Sequence, residues 1–486
     1  MKKKYFFFSF FAFCKEKKLY LRISIKKSTI MGRFFIFLIL FFASIFVVNS
    51  QTISVPLSAI WFDSEGQLQD NQSNSSEKIQ KSSDSRDSVI SLNFHRVKSF
   101  VSGVSSIRSL YDLGVTSRLT VVVVFESSDT LSEHGIWSVV RDGNQVTGLT
   151  DKRLLRQNGD YIYPVQRRGI PLINTSMQAF SKIRGEAGDN YFSLGEARLS
   201  DTLSSFSGTI AECLVFDRFL KKAEALKVET YLAVKYGITL ISSDYISGSG
   251  VVLWSYEENK EYSHGIAGLG RDNLLGLSQK QGSSSEESGL LTLGVGDYSA
   301  LNKDNAFILN DGDFLLWGHN DAGLNLDGFS GEAYPLFERK WLIQSTNSAN
   351  NTFSTWIRFR LPEQYRDSSR ICYLAIDRSG RGDFSFGNVE YIAQSQVDTF
   401  GYVYFSDVVW HSKDVFTFSV KEVEDTVLEE DSVEDAFSQE EESLSDESSE
   451  NALFESSAIY YNVCSASHCY PLRFTAVANL RFSLPC

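Results

Sequence analysis

Asp377, Arg378, Ser379, Gly380, Arg381, Gly382 and Asp383 form the stretch whose residue types and spacing come nearest to a chemical function. A hard cation such as Ca²⁺ is held by oxygen side chains that converge from alternate positions of a glycine-rich loop. Asp377, Ser379 and Asp383 would supply those oxygens, and Ca²⁺ is the only cofactor the pattern admits. Ser379 and Arg381 stand where acids would strengthen such a site, and Arg381 adds a cation to it. A tight turn explains the same residues without a metal. It also explains the embedded Arg381, Gly382, Asp383 triplet, which as an integrin-type ligand is common by chance.

Other chemistry finds less support. Gly265, Gly268 and Gly270 could cradle a phosphate, but a dinucleotide fingerprint needs a preceding parallel strand and a following helix, so a tight β-turn is expected there. Arg271 and Asp272 would then form a structural ion pair. The six histidines, His95, His134, His264, His319, His411 and His468, show no HExxH-type spacing and read as surface or hydrogen-bonded residues. No serine lies in a GxSxG elbow. Trp137, Trp254, Trp317, Trp341, Trp356 and Trp410 could stack on sugar rings, yet most sit inside apolar strands and read as core. Cys213 and Cys372 read as buried thiols. Cys464, Cys469 and Cys486 are an odd set without further metal ligands nearby. No catalytic residue is expected, and no ligand-binding residue is identified.

The elements that would position these residues are mostly strands. Leu119–Phe125 is a continuous apolar strand, and further strands are expected at 136–140, 191–194 and 210–216. Asp142 to Asn144 and Gly185 to Asn190 read as turns, and the Ser-, Asn-, Gln- and Asp-rich segment Asp63 to Arg86 as a loop. After 210–216 comes a short helix. Leu220, Ala223, Tyr231 and Val234 fall on its apolar side, with Lys221, Glu224, Lys227 and Lys235 toward solvent. Gly237 supplies the left-handed residue that ends it. A second β-rich block follows. In Trp356 to Leu361, Ile357, Phe359 and Leu361 face one way and Arg358 and Arg360 the other. Phe416 to Val420 alternates likewise, and Ile371 to Ile376 reads as more fully buried.

SGTIAECLVFDRFL and KVETYLAVKYGITL, followed by HGIAGLGRDNLLGLSQKQ, FLLWGHND and RKWLIQ, carry a family resemblance. Over roughly residues 55–420 the chain resembles Gram-negative surface proteins that pair a concanavalin A-like (laminin G-like) domain with a domain of unknown function. The resemblance implies an all-β fold: a concanavalin A-like jelly-roll sandwich over 51–240 and a second β-sandwich-like domain over 241–421. It implies export and a role in adhesion or carbohydrate recognition at the cell surface. Related proteins carry DxDGDGDF where this chain has Asp377 to Asp383. Glycosidases of this fold place paired carboxylates on one strand as ExDxE, a spacing missing here, so a binding module is expected rather than an enzyme. A structural spacer is the alternative, and a polysaccharide-active enzyme a third.

Length and charge agree with this division. The chain has 486 residues, enough for two or three domains, and a formal charge of −13. Residues 422–450 hold 14 acidic side chains and no Lys or Arg, so 422–486 is expected to be an acidic linker and disordered tail. Such a charge disfavours nucleic acid and leaves a glycan or a surface or matrix protein as partner. Met31, Gly32 and Arg33 precede fifteen almost wholly apolar residues, Phe34 to Val48, which is short for a membrane span. Residues 1–50 therefore read as an extension and a signal peptide, starting at Met31 and cleaved between Ser50 and Gln51. The protein is expected to be secreted or at the cell surface, touching a membrane only through an uncleaved signal or an anchor.

Overall fold

The structure is a computed structural model. It describes residues 60–422 except 64–67, 71–78, 83–88, 102–105, 110–116, 130, 157–158, 163–168, 180–189, 288, 328–333, 347–351, 368 and 385–388. Four short strands are also described: Phe7–Ser9 paired with Arg22–Ser24, and Tyr460–Ser465 paired with His468–Arg473.

Val121, Val122, Val123 and Val124 are all fully buried, which a strand with one solvated face does not allow. Their strand, Arg118–Ser127, lies in a sheet with Leu172–Ala179, Gly208–Phe216, Ile60–Phe62 and Leu68–Asp70, and that sheet is covered on both sides. Val121, Val123 and Phe125 pack with Trp137, Val139 and Leu194 of a facing seven-stranded sheet to form the first sandwich core. Val122 and Val124 point the other way, onto the helix Lys222–Tyr236.

The second sandwich repeats the arrangement. One sheet runs Leu277–Gln279, His264–Asp272, Phe314–His319, Trp341–Ser345, Val415–Glu422, Arg370–Asp377, Val389–Ala393. Facing it is a five-stranded sheet in the order Gln281–Ser283, Leu291–Gly294, Thr352–Arg360, Tyr402–His411, Gln396–Val397. Between them Trp341 stacks on Phe416 at 5.5 Å, and Phe359 on Phe418 at 3.9 Å. On the other face of the first of these sheets, Phe314, Leu316, Leu342, Ala375 and Val415 belong to the same buried layer as the helix, together with Tyr245, Leu253, Trp254 and Phe384. The described residues thus stack as sheet, sheet, helix, sheet, sheet, all sheet pairings being antiparallel.

A helix between two sheets must be apolar nearly all round. Its residues Thr230 to Tyr236 are all buried, and the helix ends where Gly237 turns left-handed at φ 66°. A Cβ there would lie 2.1 Å from the Ser283 carbonyl oxygen, so only glycine lets the chain pass. Lys235, expected in solvent, is instead buried, and Ala223, expected in the core, is exposed. Burial on both sides removes the solvent edge that the helical pattern implies.

Lys235 is tolerated because Glu212 receives it. Glu212 Oε2 accepts from Lys235 Nζ at 2.7 Å and Tyr236 Oη at 2.7 Å. Its Oε1 accepts from Trp61 Nε1 and Tyr231 Oη, both at 2.9 Å. Burial works against the ammonium, but Glu212 and the two phenols outweigh it and hold the Lys235 pKa well above its ordinary value.

Four further expectations change. Leu68–Asp70 and Ile79–Ser82, inside the expected loop at 63–86, are edge strands. An edge strand takes its backbone hydrogen bonds from one neighbour and needs no apolar run to do so, which hides it in a polar sequence. Gly265, Gly268 and Gly270 lie along strand His264–Asp272 rather than in a tight turn, and the last leaves room for the Phe314 ring. Arg271 and Asp272 do not pair with each other: Arg271 bonds Asn273 and the Leu309 carbonyl, while Asp272 caps the amides of Gly248, Leu274 and Leu275. Phe416 to Val420 alternates, with Phe416, Phe418 and Val420 in the sandwich core, but its polar face is buried too, Thr417 Oγ1 donating to the Phe337 and Arg339 carbonyls.

A hairpin of the first sandwich reaches the second. Strands Val89–Leu92 and His95–Phe100 meet in a two-residue turn, Asn93 and Phe94, both at positive φ. Asn93 Nδ2 donates to the Lys235 carbonyl at 3.0 Å, its Oδ1 accepts from Ser283 N at 2.8 Å, and Phe94 O accepts from Asn302 N at 2.8 Å. Beside the turn, His95 Nε2 meets Gln279 Oε1 at 2.8 Å, and its ring lies edge-on to Tyr236.

Replacing Glu212 by Ala strands a buried ammonium and should lower unfolding free energy by about 3–5 kcal/mol in chemical denaturation, whereas the paired change Glu212→Leu with Lys235→Met should recover most of the loss. His95 sets an acid limit. The residue keeps some solvent contact, but its ring, the part that titrates, is enclosed; burial first and Lys235 second lower its pKa from 6.5 to about 3. Below pH 6.5 the unfolded chain takes up a proton that the folded one refuses, so this stability is full above 6.5 and lost as pH falls toward 3. Between pH 7 and 5 the loss should be about 1–2 kcal/mol, and His95→Gln should flatten that part of the profile.

Candidate functional site

Strand Thr352–Arg360 alternates as its sequence requires. Phe353, Thr355, Ile357 and Phe359 are buried inward, while Trp356, Arg358 and Arg360 face out of the five-stranded sheet. On the neighbouring strand Val403 and Phe405 point in, and Tyr402 and Tyr404 point out. Register places Arg358 opposite Tyr404 and Arg360 opposite Tyr402. On the other side Thr292 lies opposite Arg358 and Gly294 opposite Trp356. The indole of Trp356 lies across Gly294, where a Cβ would come within 2.1 Å of the ring.

Tyr298, half exposed at 50%, meets Trp356 edge to face at 5.7 Å and Phe94 of the first sandwich at 6.1 Å. The Arg358 guanidinium sits 5.0 Å from the Tyr298 ring centre and 4.3 Å from that of Tyr402. Arg360 lies 5.9 Å from the same Tyr402 ring. Tyr404 Oη donates to Asp398 Oδ2 at 2.9 Å, and Asp398 also accepts from the amides of Phe400 and Tyr402. Burial and Asp398 push the Tyr404 hydroxyl up to about 12, so it remains a donor at neutral pH. Three buried polar atoms here, Trp356 Nε1, Arg358 Nε and Thr292 Oγ1, have no hydrogen-bond partner among the described residues.

Chemically this is a platform of aromatic rings with polar groups between them. Aromatic faces pack against the apolar faces of saturated rings, and guanidinium groups recognise oxyanions. The alternation in Trp356 to Leu361 announces that Arg358 and Arg360 face outward. Tyr298 lies in a loop without any pattern to mark it, and the pairing of Tyr402 and Tyr404 with the arginines is a matter of register.

Of the other tryptophans, Trp137, Trp254, Trp317, Trp341 and Trp410 are fully buried. Asp377 is buried at the end of its strand, with Oδ1 accepting from Ser379 N and Oδ2 from Gly382 N, both at 2.8 Å. Its oxygens cap the turn. Ser379 and Asp383 are exposed, and Arg378 ties the loop to Glu390 and Asp414. Among the described residues no group of three or more His, Cys, Asp or Glu side chains could hold a metal.

Among the histidines, His319 is buried, with Nε2 against Glu287 at 3.0 Å and Nδ1 accepting from Asp321 N. Arg339 also bonds Glu287, and His264 lies over the His319 ring at 6.1 Å. His134 and Ser127 both contact Asp151 rather than each other, so the three do not form a nucleophilic relay. His411 is exposed beside Arg378. Ser50, Gln51 and Met31 lie outside the described residues, as do residues 423–450 of the acidic run and residues 185–189 of the turn expected at Gly185 to Asn190. Among the described residues no helix is long and apolar enough to cross a membrane.

A family model described as a domain of unknown function (DUF8202) matches residues 224–412. That span runs from the first turn of the helix through the platform. No curated protein sequence matches the chain. Among solved structures, Trypanosoma rangeli sialidase in complex with sialic acid aligns at 9% identity and a TM-score of 0.26, over 34% of this chain and 31% of the sialidase. The chain thus spans about a third of the length of that enzyme. Domain 4 of a GH43 extracellular arabinanase from Geobacillus stearothermophilus, in complex with arabinotriose, aligns at 14% identity and 0.24, over 34% of this chain and 95% of that domain. The binding domain of botulinum neurotoxin DC, in complex with rat synaptotagmin II, aligns at 8% and 0.28, over 76% and 95%. These are distant β-rich neighbours, and at such scores they carry no argument about function.

Asp377→Ala removes the acceptor of two turn amides and should cost about 1–3 kcal/mol in denaturant unfolding. The loss should be the same with Ca²⁺ or with a chelator, and a calcium-dependent difference would support the metal reading of the loop.

Proposed function

We propose that the protein is a non-catalytic binding module that recognises a glycan through the outer face of its five-stranded sheet. One observation carries the reading: Tyr298, Trp356, Tyr402 and Tyr404 come together on that face, from three separate segments, with Arg358 and Arg360 among them. Flat rings with donors at their edges suit a pyranose, which offers an apolar face and an equatorial rim of hydroxyls. Asp398, the carboxylate bonded into this face, is committed to Tyr404 and two amides, which speaks against a role as a hydrolytic acid or base. Export through cleavage at Ser50 and Gln51, and residence outside the cell or on its surface, fit such a role and belong to the same proposal.

A glycan array followed by titration calorimetry on the full chain tests it. Trp356→Ala and Tyr402→Ala should each weaken the best ligand about tenfold or more, with the thermal midpoint monitored to exclude unfolding. Parent-like affinity in both variants would remove the platform from the binding site, and binding to no sugar would favour a structural spacer.

A further inference from the structure

Resting on the glycan reading above, we infer that the platform selects a sugar bearing a carboxylate, such as a hexuronate, and seats that carboxylate against Arg358 and Arg360. The charge of the face is the first argument. The chain carries a formal charge of −13, yet this strand places two arginines side by side on one face. Among the described residues neither guanidinium has a carboxylate partner. Asp398, the neighbouring acid, accepts from Tyr404, whose hydroxyl also meets the Arg358 side chain and stands between the two charges.

Unused donors are the second argument. Arg358 Nε is buried without a hydrogen-bond partner although its guanidinium is held between Tyr298 and Tyr402. Directly across the ladder, Thr292 is fully buried and its Oγ1 is also unsatisfied; one register step away so is Trp356 Nε1. Leaving such groups unpaired is unfavourable, and a binding site accepts that when the ligand supplies the missing acceptors. A carboxylate offers two oxygens with about four lone-pair sites and matches the guanidinium fork, which a neutral hydroxyl does not. Because these donors lie under the surrounding rings, a small shift of the half-exposed Tyr298 side chain accompanies binding.

The test compares oligogalacturonate, its fully methyl-esterified counterpart and a sulfated oligosaccharide of similar length by calorimetry on the full chain. The unsubstituted protein should bind the acid at least about tenfold more tightly than the ester. Arg358→Gln should weaken acid binding on the order of 10- to 100-fold and ester binding at least about tenfold less than that, with Arg360→Gln having a smaller effect in the same direction. Arg358→Lys, which keeps the charge and loses the fork, should fall between. Equal binding of acid and ester, or an equal loss of both in Arg358→Gln, would overturn the inference while leaving a glycan platform in place. Preference for the sulfated chain would overturn the carboxylate assignment. Acid binding that survives Trp356→Ala and Tyr402→Ala but not Arg358→Gln would sink the stacking platform and keep the charge recognition. Binding to none of the three would overturn both.

Discussion

Glu212 occupies a position where a carboxylate would ordinarily be intolerable, at the centre of a strand buried on both faces and under a helix that is itself enclosed. Its four hydrogen bonds join three elements: Trp61 from a neighbouring strand, and Tyr231, Lys235 and Tyr236 from the helix. Apolar packing is non-directional and would let the helix slide or rotate between the two sheets. A buried carboxylate that must be met by one ammonium and three other donors fixes its rotation and depth, because any slip leaves charge unpaired. The remaining contacts of the central layer are consistent with that one orientation.

With the helix so placed, Gly237 can turn under the Ser283 carbonyl, and the Asn93–Phe94 hairpin tip can bond both the helix end and the edge of the second sandwich. Phe94 then lies against Tyr298, at the margin of the aromatic platform. The candidate site is therefore built on the second sandwich but bordered by the first. Polar contacts of this kind, through Asn93, His95 and Gln279, join the two sandwiches beside a helix layer whose buried charge is confined to the Glu212–Lys235 pair. That division explains how one helix can serve two cores without leaving its polar neighbours unsatisfied.

Much of this was legible in the residues. Leu119 to Phe125 and 210–216 announce strands, Asp142 to Asn144 a turn, and Gly237 the helix end; the structure has each of them, the turn closing one residue earlier because Asn144 opens the next strand. Other readings failed for a common reason. The helical pattern put Lys235 in solvent, and the polar composition of 63–86 hid two edge strands, because local sequence records what a residue prefers and not which second surface covers it. Of the functional residues, Asp377 was visible as an oxygen-bearing side chain of the loop, and each of its oxygens accepts from a turn amide. Arg358 and Arg360 were visible as outward-facing residues, but nothing marked them as neighbours of Tyr298.

By itself the sequence determined the largely β character, the alternation that turns Trp356, Arg358 and Arg360 away from the core, and the helix after the strand at 210–216. These follow from local rules, the period of two in a strand and the cost of burying unpaired polar groups. Tertiary structure alone decided that the helix lies between two sheets, that Glu212 meets Lys235, and that Tyr298, Trp356, Arg358 and Tyr402 share one surface. Those contacts join residues far apart in the chain. Their formation depends on strand register and on which faces are left to cover each other, neither of which is encoded in any one segment.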